Sequence, residues 1–209
     1  MPVVETFAAL AAHVLGLHPS VGSARLVAVD GRAGSGKTSF AERLAGAVRS
    51  AGAPAAILHT DDLSSHTDLF GWVQTLMSDV LEPLRAGRPG VHSVYNWVAR
   101  RADTRAEVPP VEVLVLEGVG AGRQELTAYL AYTIWVETSL SAGVARGLQR
   151  DIAEHGEGMR DQLAAFWTEW VRAEAIFLGD QRPWERADLL VDGTSSLRRD
   201  PAREYVRLP

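Results

Sequence analysis

The amino-acid sequence predicts a three-layer α/β fold built on a five-stranded parallel sheet, and three observations carry that prediction. Short apolar, β-rich runs recur between longer stretches of helical character, the first run leads into a glycine-rich turn, and that turn opens a helix-like stretch. Alternation of this kind marks βαβ units, whose strands are covered on both faces and so read as nearly unbroken apolar runs.

The predicted strands are Arg25–Asp30, Ala55–His59, Val111–Glu117, Tyr132–Glu137 and Ala187–Val191. Between them the spacing predicts helices at Lys37–Ser50, Leu69–Arg85, Gln124–Ala131, Leu140–Glu154 and Met159–Leu178. Gly52-Ala53-Pro54 and Pro109-Pro110 break the chain between elements, because glycine and proline punctuate regular structure. Residues 87–110 have no clean period and carry Tyr95, Trp97, Arg100, Arg101 and Arg105. An excursion of about 20 residues is long enough to be functional. No repeat or domain boundary is visible, and 209 residues suit a single domain over 1–209 with one full core.

Composition narrows the function. With 46% hydrophobic and 22% charged residues and a formal net charge of −5, the chain lacks the basic excess expected of a nucleic-acid binder. The arginine-rich tail from Arg198 to Arg207 is broken by Asp200 and Glu204 and reads as a solvated edge. There is no cysteine, which excludes disulfides and thiolate metal sites. The stretch Phe7–Leu17 is short, has no preceding Lys or Arg and contains His13, so it reads as an amphipathic helix and not as a signal peptide. No apolar run approaches the roughly 20 residues of a membrane span. The expectation is a cytoplasmic protein with no nucleic-acid or membrane partner; homo-oligomerisation stays open.

Lys37 is the only lysine, against 20 arginines, and it sits in Gly31-Arg-Ala-Gly-Ser-Gly-Lys-Thr38 directly after the first strand. The pattern G-x-x-x-x-G-K-[ST], between a strand and a helix, is that of a phosphate-binding loop. Consecutive backbone N–H groups form an anion nest, the following helix adds its positive end, and a compact ammonium reaches the outer phosphates. The residues expected to hold nucleotide are Gly31, Ala33, Gly34, Ser35, Gly36, Lys37, Thr38 and Ser39, with the Thr38 hydroxyl on Mg²⁺.

In an open α/β sheet, ligands gather beyond the carboxyl ends of the strands. Asp61 and Asp62 follow the second strand, where a carboxylate could take a proton from an attacking hydroxyl or help hold the metal. Helix capping by Asp62 or Ser64 is the alternative, and which aspartate is the base stays open. Glu117 ends the third strand before Gly118 and is expected to order Mg²⁺, the alternative being a buried carboxylate satisfied by nearby N–H groups. Arg146 and Arg150 share one helix face. With Asp151 and His155-Gly156-Glu157-Gly158 they read as a mobile lid over about 146–160 that places guanidinium groups over the transferring phosphate, or else as a solvated helix face. Tyr95 and Asn96, with Trp97 and Arg100, are candidate acceptor contacts in the excursion, although aromatic residues at alternating positions are often core. Trp167 and Trp170, at helical spacing, read as core.

The ordered set Asp30-Gly-Arg-Ala-Gly-Ser-Gly-Lys-Thr38, Thr60-Asp61, Tyr95-Asn-Trp97, Glu117-Gly118, Arg146-x-x-x-Arg150-Asp151 and Ala187-Asp-Leu-Leu-Val-Asp-Gly193 resembles the uridine kinase-like branch of the P-loop kinases. That branch also includes phosphoribulokinase and bacterial pantothenate kinase. The resemblance implies a three-layer P-loop NTPase fold with a helical lid, ATP and Mg²⁺ as cofactors, Asp61 as base toward an acceptor hydroxyl, Arg146 and Arg150 on phosphates, and Tyr95 at the acceptor. Three places depart from the family's pattern. Tyr95-Asn96-Trp97 stands where uridine kinases show Tyr-Asp-aromatic, Ser64-Ser-His-Thr67 where they show Phe-Asp-His-Pro, and Glu154-His-Gly156 where the lid usually continues Glu-Arg-Gly. The donor part is kept and the nucleoside-reading part is altered, so a divergent acceptor site is expected.

The functional expectation is a small-molecule kinase acting on a nucleoside-like, sugar or vitamin alcohol. A nucleotide-dependent regulatory switch with weak hydrolysis is the alternative. Its guanine-specific form is excluded because the base-reading motif needs a second lysine.

Overall fold

The computed structural model describes residues Met1–Pro209. The chain opens with β1 (Val3–Thr6) and α1 (Phe7–Gly16), where the Thr6 hydroxyl accepts from the Ala9 amide and caps the helix. Next come β2 (Arg25–Gly31), α2 (Lys37–Ser50), β3 (Ala55–His59) and a single turn, α3 (Thr60–Leu63). A helical stretch follows as α4 (Val73–Thr75), a π-helical segment Leu76–Leu81 and α5 (Glu82–Arg85). Then β4 (Gly90–Asn96) and β5 (Arg101–Val108) form an antiparallel hairpin apart from the main sheet. The second half runs β6 (Val113–Glu117), β7 (Leu130–Glu137), α6 (Leu140–His155), α7 (Arg160–Gln181), β8 (Leu189–Asp192) and β9 (Glu204–Arg207).

The main sheet has the order β1-β9-β8-β7-β2-β6-β3. Its five mutually parallel strands, β8, β7, β2, β6 and β3, are the five predicted from sequence. Two more strands extend the β8 edge, with β9 antiparallel to both β8 and β1. The count of five therefore becomes seven. Both added strands are only four residues long and carry charges, so they lack the apolar run that flags a buried strand. The tail read as solvated in fact buries Tyr205 and Val206.

Two further boundaries move. The helix expected at Gln124–Ala131 is a 3₁₀ turn, Gln124–Tyr129, and β7 begins at Leu130. The helix expected from Leu69 starts at Val73, and Pro83, which has no N–H to donate, lies just beyond the π segment.

Alternate residues of β2 feed opposite faces of the sheet. Val27 and Val29 pack with Phe7, Leu10, Phe40 and Leu44 of α1 and α2, while Leu26 and Ala28 pack with Leu76, Val80 and Leu84 of the helical stretch on the other side. A third cluster sets Trp135 of β7 and Val119 against Trp170 and Leu178 of α7. No helix is long and apolar enough to cross a membrane.

Candidate functional site

The site begins where β2 ends. After Gly31 the chain turns through Gly34 and Gly36, at φ +74° and +94°, conformations that L side chains rarely adopt. At Gly34 space also decides: a Cβ there would lie 2.0 Å from the Gly143 carbonyl oxygen of α6, so the loop and the first turn of α6 meet glycine to glycine. α2 starts at Lys37 with no side-chain cap. Its first amides therefore remain open to an anion at the positive end of a 14-residue helix. Thr38 and Ser39 are exposed on its first turn, and Ser35 is buried.

Register brings the charged groups together. Val29, Glu117 and His59 lie side by side at the carboxyl ends of β2, β6 and β3. Lys37 Nζ donates to the Arg32 carbonyl at 3.4 Å and stands 4.0 Å from Glu117 Oε1. His59 Nδ1 and Glu117 Oε2 are 2.6 Å apart. This hydrogen bond is the largest of the effects that raise the His59 pKa above its ordinary value. Asp61 lies in the same crevice. Solvent reaches it, yet protein atoms crowd around it, and the resulting desolvation raises its pKa against the opposing pull of Lys37. Burial likewise raises Asp62.

No group of three or more His, Asp or Glu side chains forms a ready metal cage. The exposed Thr38 hydroxyl and the Glu117 Oε1 atom beside Lys37 nonetheless suit Mg²⁺, which keeps several waters and shares phosphate oxygens. Ser64 makes no N-cap; its hydroxyl donates to the Thr60 carbonyl at 2.8 Å.

The excursion lies over Asp61. Trp97 Nε1 donates to the Asp61 carbonyl at 3.1 Å, and Tyr95 Oη lies 3.1 Å from His66 Nδ1. The His66 ring is 4.9 Å from Trp97, which also neighbours Tyr95 and, on α7, Phe166 and Trp170. Desolvation, and then the Arg100 charge, lower the His66 pKa. Asn96 faces its own turn: its Oδ1 accepts from the Val98 and Ala99 amides, and its Nδ2 donates to Asp103. Arg100 is exposed in that turn at φ +53°.

On α6, Arg146 Nη1 donates to the Gly193 carbonyl at 3.0 Å, and Gly193 lies close against the Ser35 carbonyl of the loop. Arg150 pairs with its neighbour Asp151 at 2.7 Å and not with Glu154. The other Asp151 oxygen accepts from Trp167 Nε1, and the Trp167 ring fills the space left by Gly147. Trp167 and Trp170 are both buried, as expected.

Sequence reasoning missed three groups. His59 had a signal, a polar residue closing an apolar strand. Asp30 is wholly buried, and its carboxylate accepts from the Gly31, Gly120 and Gly122 amides, tying the phosphate loop to the loop after β6. Its pKa is pushed up to about 6 by burial, against those three N–H groups. Glu174 is buried on α7, one turn past Trp170, and accepts from the Ala33 amide at 2.7 Å. Its signal was a charge on the same helical stripe as two tryptophans.

A model of the phosphoribulokinase/uridine kinase family matches residues 73–176. Uridine kinases of two Klebsiella pneumoniae strains are 31% identical over 120 residues, 56% of this chain and 55% of theirs, so the match spans about half the length of those relatives. A protein described as a possible uridine kinase from Bacillus stearothermophilus has a similar fold at TM-score 0.63 and 19% identity, covering 88% of this chain and 96% of that one. A candidate fructose transport system kinase from Silicibacter has a TM-score of 0.63 at 23% identity, covering 88% and 95%. Family model, relatives and fold agree with the motif order: the chain is similar to the phosphoribulokinase/uridine kinase family across its middle half and shares the fold of these kinases over most of its length.

Proposed function

We propose that this chain moves the γ-phosphate of MgATP to a hydroxyl of a small molecule, a nucleoside-like compound, a sugar or a vitamin alcohol. The observation that carries the reading is the meeting of Lys37, Glu117 and Asp61 in one crevice, with Trp97 hydrogen-bonded to the Asp61 backbone. Phosphoryl transfer asks a protein mostly for positioning and charge stabilisation. The chain is read as one kinase domain with an acceptor-side excursion over about 87–110 and a lid over about 146–160.

In this reading the amides of Gly34 to Thr38 and the open start of α2 receive the phosphates, and Lys37 brings its charge to the outer ones. Thr38 and Glu117, with Asp62 nearby, would hold Mg²⁺, which when bound neutralises charge on the phosphate oxygens. Asp61 accepts the acceptor's proton, and its raised pKa makes it a stronger base than an ordinary aspartate. Arg146 and Arg150 stabilise charge on the transferring group; Arg150 has to leave Asp151 to do so. Tyr95 and Arg100 meet the acceptor, and Asn96 acts by holding the hairpin that presents them. A purely regulatory ATP-binding role gives the aromatic cluster beside Asp61 no task, so it ranks second.

The test is acceptor-dependent ADP formation with MgATP and a panel of nucleosides, sugars and vitamin alcohols. Asp61→Asn should lower turnover by about 10²- to 10⁴-fold while leaving ATP affinity intact. No ADP above background with any acceptor, or undiminished turnover in Asp61→Asn, overturns the proposal.

A further inference from the structure

Glu174 holds the phosphate loop from outside. Its carboxylate is almost wholly buried, at 1% exposure, and accepts from the Ala33 amide at 2.7 Å through Oε1. Oε2 lies 3.5 Å from Arg32 Nη1. Two successive loop residues are thus held by one side chain from a helix 141 residues further along the chain.

The helix that carries it is itself fixed. One turn before Glu174, Trp170 packs against Trp97 and Phe70, and one turn after it, Leu178 is buried in the same cluster. A carboxylate on so constrained a backbone has little freedom to follow the loop, so the loop is obliged to follow it.

An anion nest works only if its peptide planes are oriented before the anion arrives. The Ala33 N–H is committed to Glu174, which fixes the plane of the peptide joining Arg32 to Ala33. From there only three residues, Gly34 to Gly36, lead to the start of α2 at Lys37. Of these, Gly34 and Gly36 are at positive φ and have the widest conformational choice. A loop so rich in glycine needs an external brace to settle on one shape.

We infer that Glu174 is a positioning residue for the phosphate loop: by fixing the Ala33 amide it presets the nest, so that nucleotide binding does not have to order it. This rests on the reading that residues 31–38 receive a nucleotide's phosphates. Glu174→Leu removes both interactions. Glu174→Gln keeps an oxygen for the Ala33 N–H and loses only the charge facing Arg32, which is partly solvated.

The experiment measures MgADP affinity by calorimetry and Ala33 amide exchange by NMR in the full chain and both variants, with folding checked by circular dichroism. The expected result is a loss of affinity on the order of tenfold in Glu174→Leu, the scale of a hydrogen bond to a charged group. Loss of Ala33 protection should accompany it, and Glu174→Gln should retain most of both. A folded Glu174→Leu that binds MgADP like wild type, at whatever cost in melting temperature, reduces Glu174 to a packing residue and overturns the inference alone. If Glu174→Leu does not fold, Glu174→Gln decides. Ala33 protection and MgADP affinity kept or lost together support the inference; one lost without the other overturns it. A wild-type chain that takes up no MgADP overturns the functional reading and this inference with it.

Discussion

His59 and Glu117 stand side by side on neighbouring parallel strands, with Nδ1 2.6 Å from Oε2, within reach of the one lysine in the chain. The pair fixes one oxygen of Glu117 and leaves the other toward Lys37, the arrangement that the proposed metal role of Glu117 asks for.

The pair gives a pH signature to the nucleotide-free protein. Its hydrogen bond raises the His59 pKa, so the stabilisation it provides is complete below the unfolded value and fades as pH rises through the folded one. The wild-type chain should melt above His59→Asn at about pH 6 and lose most of that advantage by about pH 9. An advantage that grows with pH contradicts the hydrogen-bonded pair.

Lys37→Ala removes the only ammonium side chain at the nest while leaving the glycines in place. ATP affinity by calorimetry should fall at least about tenfold, the scale of one charge-assisted contact. Unchanged uptake would place nucleotide binding elsewhere.

Asp30 makes a prediction of the same sign as His59, in a lower pH window. A rise from the ordinary 3.8 to about 6 means the folded chain holds that proton more tightly than the unfolded chain does. Its contribution is therefore most favourable below the lower value and is lost as pH climbs through the upper one, by about 3 kcal/mol in all. Asp30→Asn lacks this dependence and leaves one of the three amides facing an NH₂ group, costing about 1–3 kcal/mol. Denaturant unfolding should show a wild-type advantage that narrows between about pH 4 and pH 6. A constant gap would mean the carboxyl titrates normally.

Gly147 is required by Trp167, since a Cβ there would lie 2.1 Å from the indole ring. Gly147→Ala should overpack the α6–α7 contact by about 1–3 kcal/mol and lower the melting temperature by several degrees. Adding Trp167→Phe should recover part of the loss. Strict additivity of the two substitutions would show that the residues do not share that space.

The sequence by itself determined the five parallel strands, the loop that ends the first of them and the carboxylates that follow the second and third. These are local matters: an apolar run buried on both faces, a turn that only glycine can make, and a polar residue where a strand stops. Tertiary structure alone decided the rest. The edge strands at Val3–Thr6 and Glu204–Arg207 exist because each finds a partner from the opposite end of the chain, which neither segment announces. Asn96 reads as a ligand contact until the hairpin closes and claims its amide. Asp30 and Glu174 become braces of the phosphate loop only when residues 90 and 141 positions away are brought to them. A hydrogen bond across such a distance leaves no periodicity in the sequence, because what selects its partner is the packing of whole helices and strands.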